Sequence, residues 1–315
     1  MFNKLKHKIN AKKLFQGEEA RFLLATSFKI SGVYLFTALF VIYLIWLVLA
    51  INNVFFEANG FMDIPDLRSA YFDFITSRLM QNFIYICILF VILFFLSLYL
   101  GKILLRPFKT IGEYCDSAIE NKNEHYNPDI FSDFKLLTRF SDFFFRYILE
   151  SRNNKKLSPN TIPPTFSKIH GPVFDKVFFF HFVLFISIIA ISSSILIVSL
   201  TTDTYDSLIE LALKTLPKNG KEIAYFFKNQ KYIFDSILWY SITLLILFYS
   251  FLAFHLYSKV SGAVFGFFST MRSFMKGNLK ARVHLVGYPH IRPFSRSFNK
   301  YLDSVCREME NERKS

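Results

Sequence analysis

Apolar residues gather in four runs that contain no Asp, Glu, Lys or Arg: Ile30–Phe56, Leu79–Gly101, Val177–Thr202 and Ser236–Ser258. Each exceeds the ~20 residues a helix needs to cross a bilayer, so four transmembrane helices in two hairpins are predicted. The first run is long and starts well after Met1, and reads as a span rather than a cleavable signal peptide. After the fourth run the pattern changes. Val264, Phe268, Met271 and Met275 step by four, three and four, the spacing of a helix with one narrow buried seam. Gly277 follows as a C-cap glycine. Asn278–Leu285 then alternates, with Leu279, Ala281, Val283 and Leu285 on one side. Pro289 permits a restart, and Phe294, Phe298, Leu302, Val305 and Met309 mark a second seam.

A weaker version of this order follows the second run. Arg106-Pro107-Phe108 stands at the membrane exit. Leu104, Phe108, Ile111, Cys115 and Ile119 continue a seam, Asn121 takes the place of the glycine, and Leu137, Phe140, Phe144 and Ile148 form a second seam. Its connector, Asn121–Ile130, lacks alternation. The predicted class is an all-α integral membrane protein whose hairpins carry helix–connector–helix pairs.

The stretch after the last span resembles a HAMP domain, the signal-relay module of bacterial membrane receptors, sensor kinases and chemoreceptors. The resemblance is carried by Gly277-Asn278-Leu279-Lys280-Ala281-Arg282-Val283, where the family has Gly-Asp-Leu and an alternating tail, and by Phe298-Asn299, where it has Phe-Asn. Arg106-Pro107-Phe108 is similar to the family's Arg-Pro-Leu at the membrane exit. There are departures: Ala263 stands where a proline is usual, and Pro289-His290 replaces an acidic pair. The resemblance implies a parallel four-helix bundle with two helices from each of two chains. This one chain carries two such pairs, so a homodimer and an intrachain pseudo-dimer both stay open. The resemblance also implies signal-relay roles for Pro107, Gly277, Leu279, Val283, Phe298 and Asn299 in turning, connector packing and helix packing.

The plan repeats. A basic segment (1–28) precedes a first hairpin (29–101), a divergent HAMP-like pair (102–150), a Pro-rich linker (151–173), a second hairpin (174–258) and a HAMP-like domain (259–315). Lys29-Ile30-Ser31-Gly32-Val33-Tyr34 and Lys168-Ile169-His170-Gly171-Pro172-Val173-Phe174 stand at matching places, which suggests internal duplication. Both loops are small. In the first, Asp66 is a candidate cap for a helix with Leu67, Tyr71, Phe74 and Ile75 on one face. In the second, Tyr205, Leu208, Ile209 and Ala212 share a face.

Charge orients this plan. Of 37 Lys and Arg, 30 fall in the N-terminal, middle and C-terminal segments and 7 in the two loops. The positive-inside rule then puts both termini and the middle segment in the cytoplasm, expected here on the inner side of a bacterial inner membrane. The net charge of +13 follows from topology and from attraction to anionic lipid headgroups, without nucleic acid. Cys87, Cys115 and Cys306 lie in a span or on the cytoplasmic side, so no disulfide framework is expected.

Catalytic signals are sparse. The chain contains no Gly-rich phosphate loop, Cys-x-x-Cys pair or His-Glu-x-x-His motif. His181 and His255, in the third and fourth spans, are the candidate haem ligands, though each sits near a helix end where it can reach headgroups. His284 and His290 are read as solvated connector residues. The reading is therefore a non-catalytic protein without cofactor, relaying a membrane or periplasmic stimulus to a separate cytoplasmic signalling or output protein. A scaffolding membrane anchor and a haem-bearing electron carrier are the alternatives.

Overall fold

The computed structural model describes residues 17–61, 67–121, 124–127, 135–154, 157–167, 176–215 and 221–314. The helices are α1 (Glu18–Ala58), α2 (Leu67–Glu120), α3 (Lys135–Asn153), α4 (Pro164–Ser167), α5 (Lys176–Thr215), α6 (Lys221–Met275) and α7 (Arg292–Lys314), with a 3₁₀ turn at Pro289–Ile291. Among the described residues there is no strand. Among the described residues four helices are long and apolar enough to cross a membrane, and the protein is an all-α, multi-pass membrane protein. The two halves repeat their order of elements, with α1 and α5 of 41 and 40 residues and α2 and α6 of 54 and 55.

The helices are longer than the apolar runs. The sequence suggests a short loop helix, then a span, then a further helix; α2 runs through all three without a break. At 1.5 Å per residue its 54 residues extend ~80 Å, against ~30 Å of hydrocarbon. The charged positions that resemble boundaries, Asp73 and Arg78, are exposed and half-buried on a helix that continues through them, where packing of its apolar neighbours outweighs the weak helix preference of Asp. Pro107 lies inside α2, where its missing N–H leaves the Ile103 carbonyl without that helical donor. The candidate cap Asp66 lies outside the described residues, as do residues 1–16 of the basic segment.

The chain forms two compact units. The first, here the membrane unit, comprises residues 27–97 and 184–253 and draws on α1, α2, α5 and α6. Ile30, Tyr34, Ala38, Val41, Ile45, Leu49 and Asn52 are buried at helical spacing on α1. Large apolar side chains such as Phe36, Trp46, Phe83, Ile188 and Trp239 are exposed on the other faces, as expected of surfaces that meet lipid. Buried hydroxyls turn back on their own helices, as when Ser31, Ser97 and Ser194 donate to the carbonyls four residues earlier.

One polar cluster ties all four helices of this unit together. Asn52 Nδ2 donates to the Tyr71 hydroxyl at 2.6 Å. Gln230 Nε2 donates to Asn52 Oδ1 at 2.6 Å, and the Tyr205 hydroxyl donates to Gln230 Oε1 at 3.3 Å. All four residues are buried. In a low-dielectric interior each of these groups would be costly without its partner, so the cluster fixes which helix faces meet.

The second, here the bundle unit, comprises residues 1–26, 98–183 and 254–315. It packs the ends of α2 and α6 with α3 and α7. The four predicted seams lie in it, buried at Leu104, Phe108, Ile111 and Cys115; Leu137, Phe140, Phe144 and Ile148; Val264, Phe268, Met271 and Met275; Phe298, Leu302, Val305 and Met309, while their remaining members, Ile119 and Phe294, are half-buried. Ring contacts join all of them within one chain. Phe108 meets Phe267, Phe140 meets Phe268, Tyr114 meets Phe145, and Phe298 meets both Phe144 and Phe267. Aromatic pairs of this kind add ~0.5–1.5 kcal/mol each beyond the area they bury.

The Pro-rich segment is held against this unit. Asn160 N–H donates to the Met275 carbonyl at 3.0 Å, and the Tyr147 hydroxyl donates to the Ser158 carbonyl at 2.9 Å. Phe166 packs on Phe140, with ring centroids 5.0 Å apart.

Candidate functional site

The candidate site is the reversal between α6 and α7. α6 ends because Gly277 takes φ +97°, a left-handed conformation that costs a glycine little. Gly277 N–H donates to the Phe274 carbonyl at 3.0 Å and Asn278 N–H to the Ser273 carbonyl at 3.1 Å. That pair of bonds is a Schellman cap, which satisfies carbonyls a helix end would leave open. The Met275 carbonyl receives the Asn160 N–H, so the cap is completed by a distant part of the chain.

Beyond the cap the chain runs back along α6. Leu285 lies against Gly266 and Tyr288 against Gly262, one turn further toward the start of the helix. A methyl group at Gly266 would come within 2.8 Å of Leu285 Cδ2, and one at Gly262 would overlap the Tyr288 hydroxyl. The two glycines are thus notches at i and i+4 that seat the connector. Because the connector returns to the level of Gly262 before α7 begins, α7 runs parallel to α6.

Side chains of α7 then hold the connector. Asn299 Nδ2 donates to the Val283 carbonyl at 3.0 Å, and its Oδ1 accepts the Val283 N–H at 2.8 Å. Val283 is buried, and Leu279, Ala281 and Leu285 are half-buried, while Lys280, His284 and Val286 face outward. Arg282 Nη1 donates to the Leu279 and Ala281 carbonyls at 2.8 and 2.7 Å. Its Nε and Nη2 both reach Asp303 Oδ1, at 2.9 and 2.5 Å. The Cys306 thiol contacts the Leu279 carbonyl at 3.7 Å, and burial raises its pKa.

His290 corrects the sequence reading. It is 5% exposed, not solvated, and its ring stacks on Phe22 of α1 at 4.1 Å. Burial lowers its pKa to about 4, with Lys259 pressing the same way. Its Nε2 is buried with no hydrogen-bond partner among the described residues. His284 is exposed as read.

The far end of the unit carries a half-buried ion pair between α3 and α7. Arg152 Nε stands 3.3 Å from Glu308 Oε2, and the Arg152 guanidinium lies over the Tyr301 ring at 5.5 Å. Burial raises the Tyr301 pKa well above its ordinary value.

Of the residues singled out from sequence, Gly277, Leu279, Val283 and Asn299 lie at this reversal, while Phe298 packs in the bundle core on Phe144 and Phe267. Pro107 is buried on α2 beside Phe108, which meets Phe267. His181 is exposed on α5 and His255 half-buried on α6. Sequence reasoning gave Arg282 no role beyond the motif and missed Asp303, Tyr288 and the notches at Gly262 and Gly266. The Gly-x-x-x-Gly spacing was a visible signal for the last pair. No group of three or more His, Cys, Asp or Glu able to hold a metal occurs among the described residues. Compared with known proteins, the chain matches no family model, no curated protein and no solved structure.

Proposed function

We propose that this protein is a transmembrane signal relay: a shift of helices in the membrane unit repacks a HAMP-like bundle, which is read by a separate cytoplasmic protein. The reading places it in a bacterial inner membrane with both termini in the cytoplasm, in line with the distribution of Lys and Arg. The observation that carries it is continuity. α2 and α6 each run unbroken from membrane-unit residues into seams of the bundle unit, so a rotation or slide of either helix reaches the packed rings at Phe108 and Phe268. A connector held by side-chain bonds, not by a continuous hydrogen-bond ladder, suits an element with two close-lying packings.

The test needs no knowledge of the stimulus. Asn52→Leu and Gln230→Leu each open the polar cluster of the membrane unit. A relay then changes the alkylation rate of Cys306 in the bundle, read in a chain with Cys87 and Cys115 replaced by Ser. Coupling of 1–3 kcal/mol corresponds to a roughly 5–150-fold change in equilibrium. An anchor that carries no signal leaves that rate unchanged.

A further inference from the structure

We infer that a trough between α1 and α6 of the membrane unit holds one acyl chain of a bilayer phospholipid. The trough has a volume of about 780 Å³. Leu44, Val48 and Phe55 form one wall, and Gln230, Ile233 and Ile237 the other. Its mouth is open to the surroundings, since Ile51 and Ile233, which line it, are 51% and 59% exposed. On a membrane-spanning helix those surroundings are hydrocarbon.

Phe55 and Phe226 stack at the loop end of the trough, 3.9 Å apart with the planes 5° apart. An occupant of the trough lies from the level of Asn229 toward Leu44 and Ile237, away from that stack.

Polarity agrees. Asn229 and Gln230, the two amides of the lining, lie toward the loop; apolar side chains line the trough toward Leu44 and Ile237. That is the gradient of a bilayer leaflet, from ester level to chain. Gln230 is buried and gives one Nε2–H to Asn52, so the exposed Asn229 amide is the one placed to donate to an ester carbonyl. An occupant would touch Gln230 and hence the cluster joining all four helices, but the lipid site does not depend on the relay reading.

The full-length protein in bilayer discs of phosphatidylethanolamine and phosphatidylglycerol provides the test. Released into mild detergent and weighed by native mass spectrometry, it should retain one phospholipid per chain. Ile233→Trp, which fills the trough, should lose it. Ile84→Trp, on an exposed face of α2, should keep it. Absence of retained lipid, equal retention by the Ile233→Trp protein, or a lipid-free dimer overturns the proposal. Photolabelling of the unmutated protein with a phosphatidylcholine bearing a diazirine on one chain decides the matter independently of any variant's folding. Labels should concentrate on residues 44–55 and 225–237. Equal or stronger labelling of residues 83–92 on α2 overturns it.

Discussion

Asn299 grips the backbone of Val283 at both of its polar atoms, donating to the carbonyl at 3.0 Å and accepting the N–H at 2.8 Å. The side chain thereby replaces the strand neighbour that an extended connector lacks. Each half-buried bond is worth ~0.5–1.5 kcal/mol net. Asn299→Ala should therefore destabilise the connector by about 1–3 kcal/mol. Hydrogen exchange at the Val283 amide checks it, with an expected acceleration of ~5–150-fold. Asn299→Asp keeps the acceptor and loses the donor, and should fall between the two.

The Gly277 cap makes a graded prediction. At φ +97° any side chain is strained, and a β-branched one most of all. Gly277→Val should cost about 1–3 kcal/mol and Gly277→Asn clearly less, because Asn tolerates the left-handed region. Thermal midpoints of the purified protein, compared across the series, give the order.

His290 predicts a pH dependence. Its folded pKa, about 4, lies below the 6.5 of an unfolded histidine. Between those values the unfolded chain takes up a proton that the folded one refuses. The contribution is thus fully present above pH 6.5, is lost as pH falls toward 4, and does not change further below that. His290→Phe keeps a ring against Phe22 and removes the titration. The variant should lose less stability than the parent between about pH 7 and 4.5, as followed by unfolding in denaturant at each pH.

The buried cluster of the membrane unit invites a double-mutant cycle. Asn52 and Gln230 share a 2.6 Å bond across 178 residues of sequence. Interhelical polar contacts in membranes average ~0.6 kcal/mol and reach ~1.7 kcal/mol. The Asn52→Leu and Gln230→Leu pair should show coupling in that range in unfolding titrations. Additive costs would mean that the two amides do not act together.

How far the sequence reached depends on what each residue's signal is. The seams were legible because Val264, Phe268, Met271 and Met275 repeat at a helical period, and all are buried. The spans were legible because apolar stretches of that length without a charge are rare outside membranes. Continuity of α2 was not, since Asp73 and Arg78 look like a loop when only hydropathy is read. Asn52, Tyr71, Tyr205 and Gln230 carry no shared pattern; only the fold brings four separate helices to one point. His290 looked solvated because it follows a glycine and a proline, yet Phe22, far away in the chain, covers it. Asp303 offers no sign of its bond to Arg282 until the connector has turned back.

The most direct test concerns the bundle itself, since the account requires that all four seams come from one polypeptide. Phe140 and Phe268, on α3 and α6, have ring centroids 4.3 Å apart. The pair Phe140→Cys and Phe268→Cys, in a chain whose native cysteines are replaced by Ser, would be treated with a short bifunctional maleimide in membranes containing two differently tagged copies. The account predicts a cross-link within each chain, migrating at monomer mass and confirmed by peptide mapping. Cross-links found solely between the two tagged copies would contradict it.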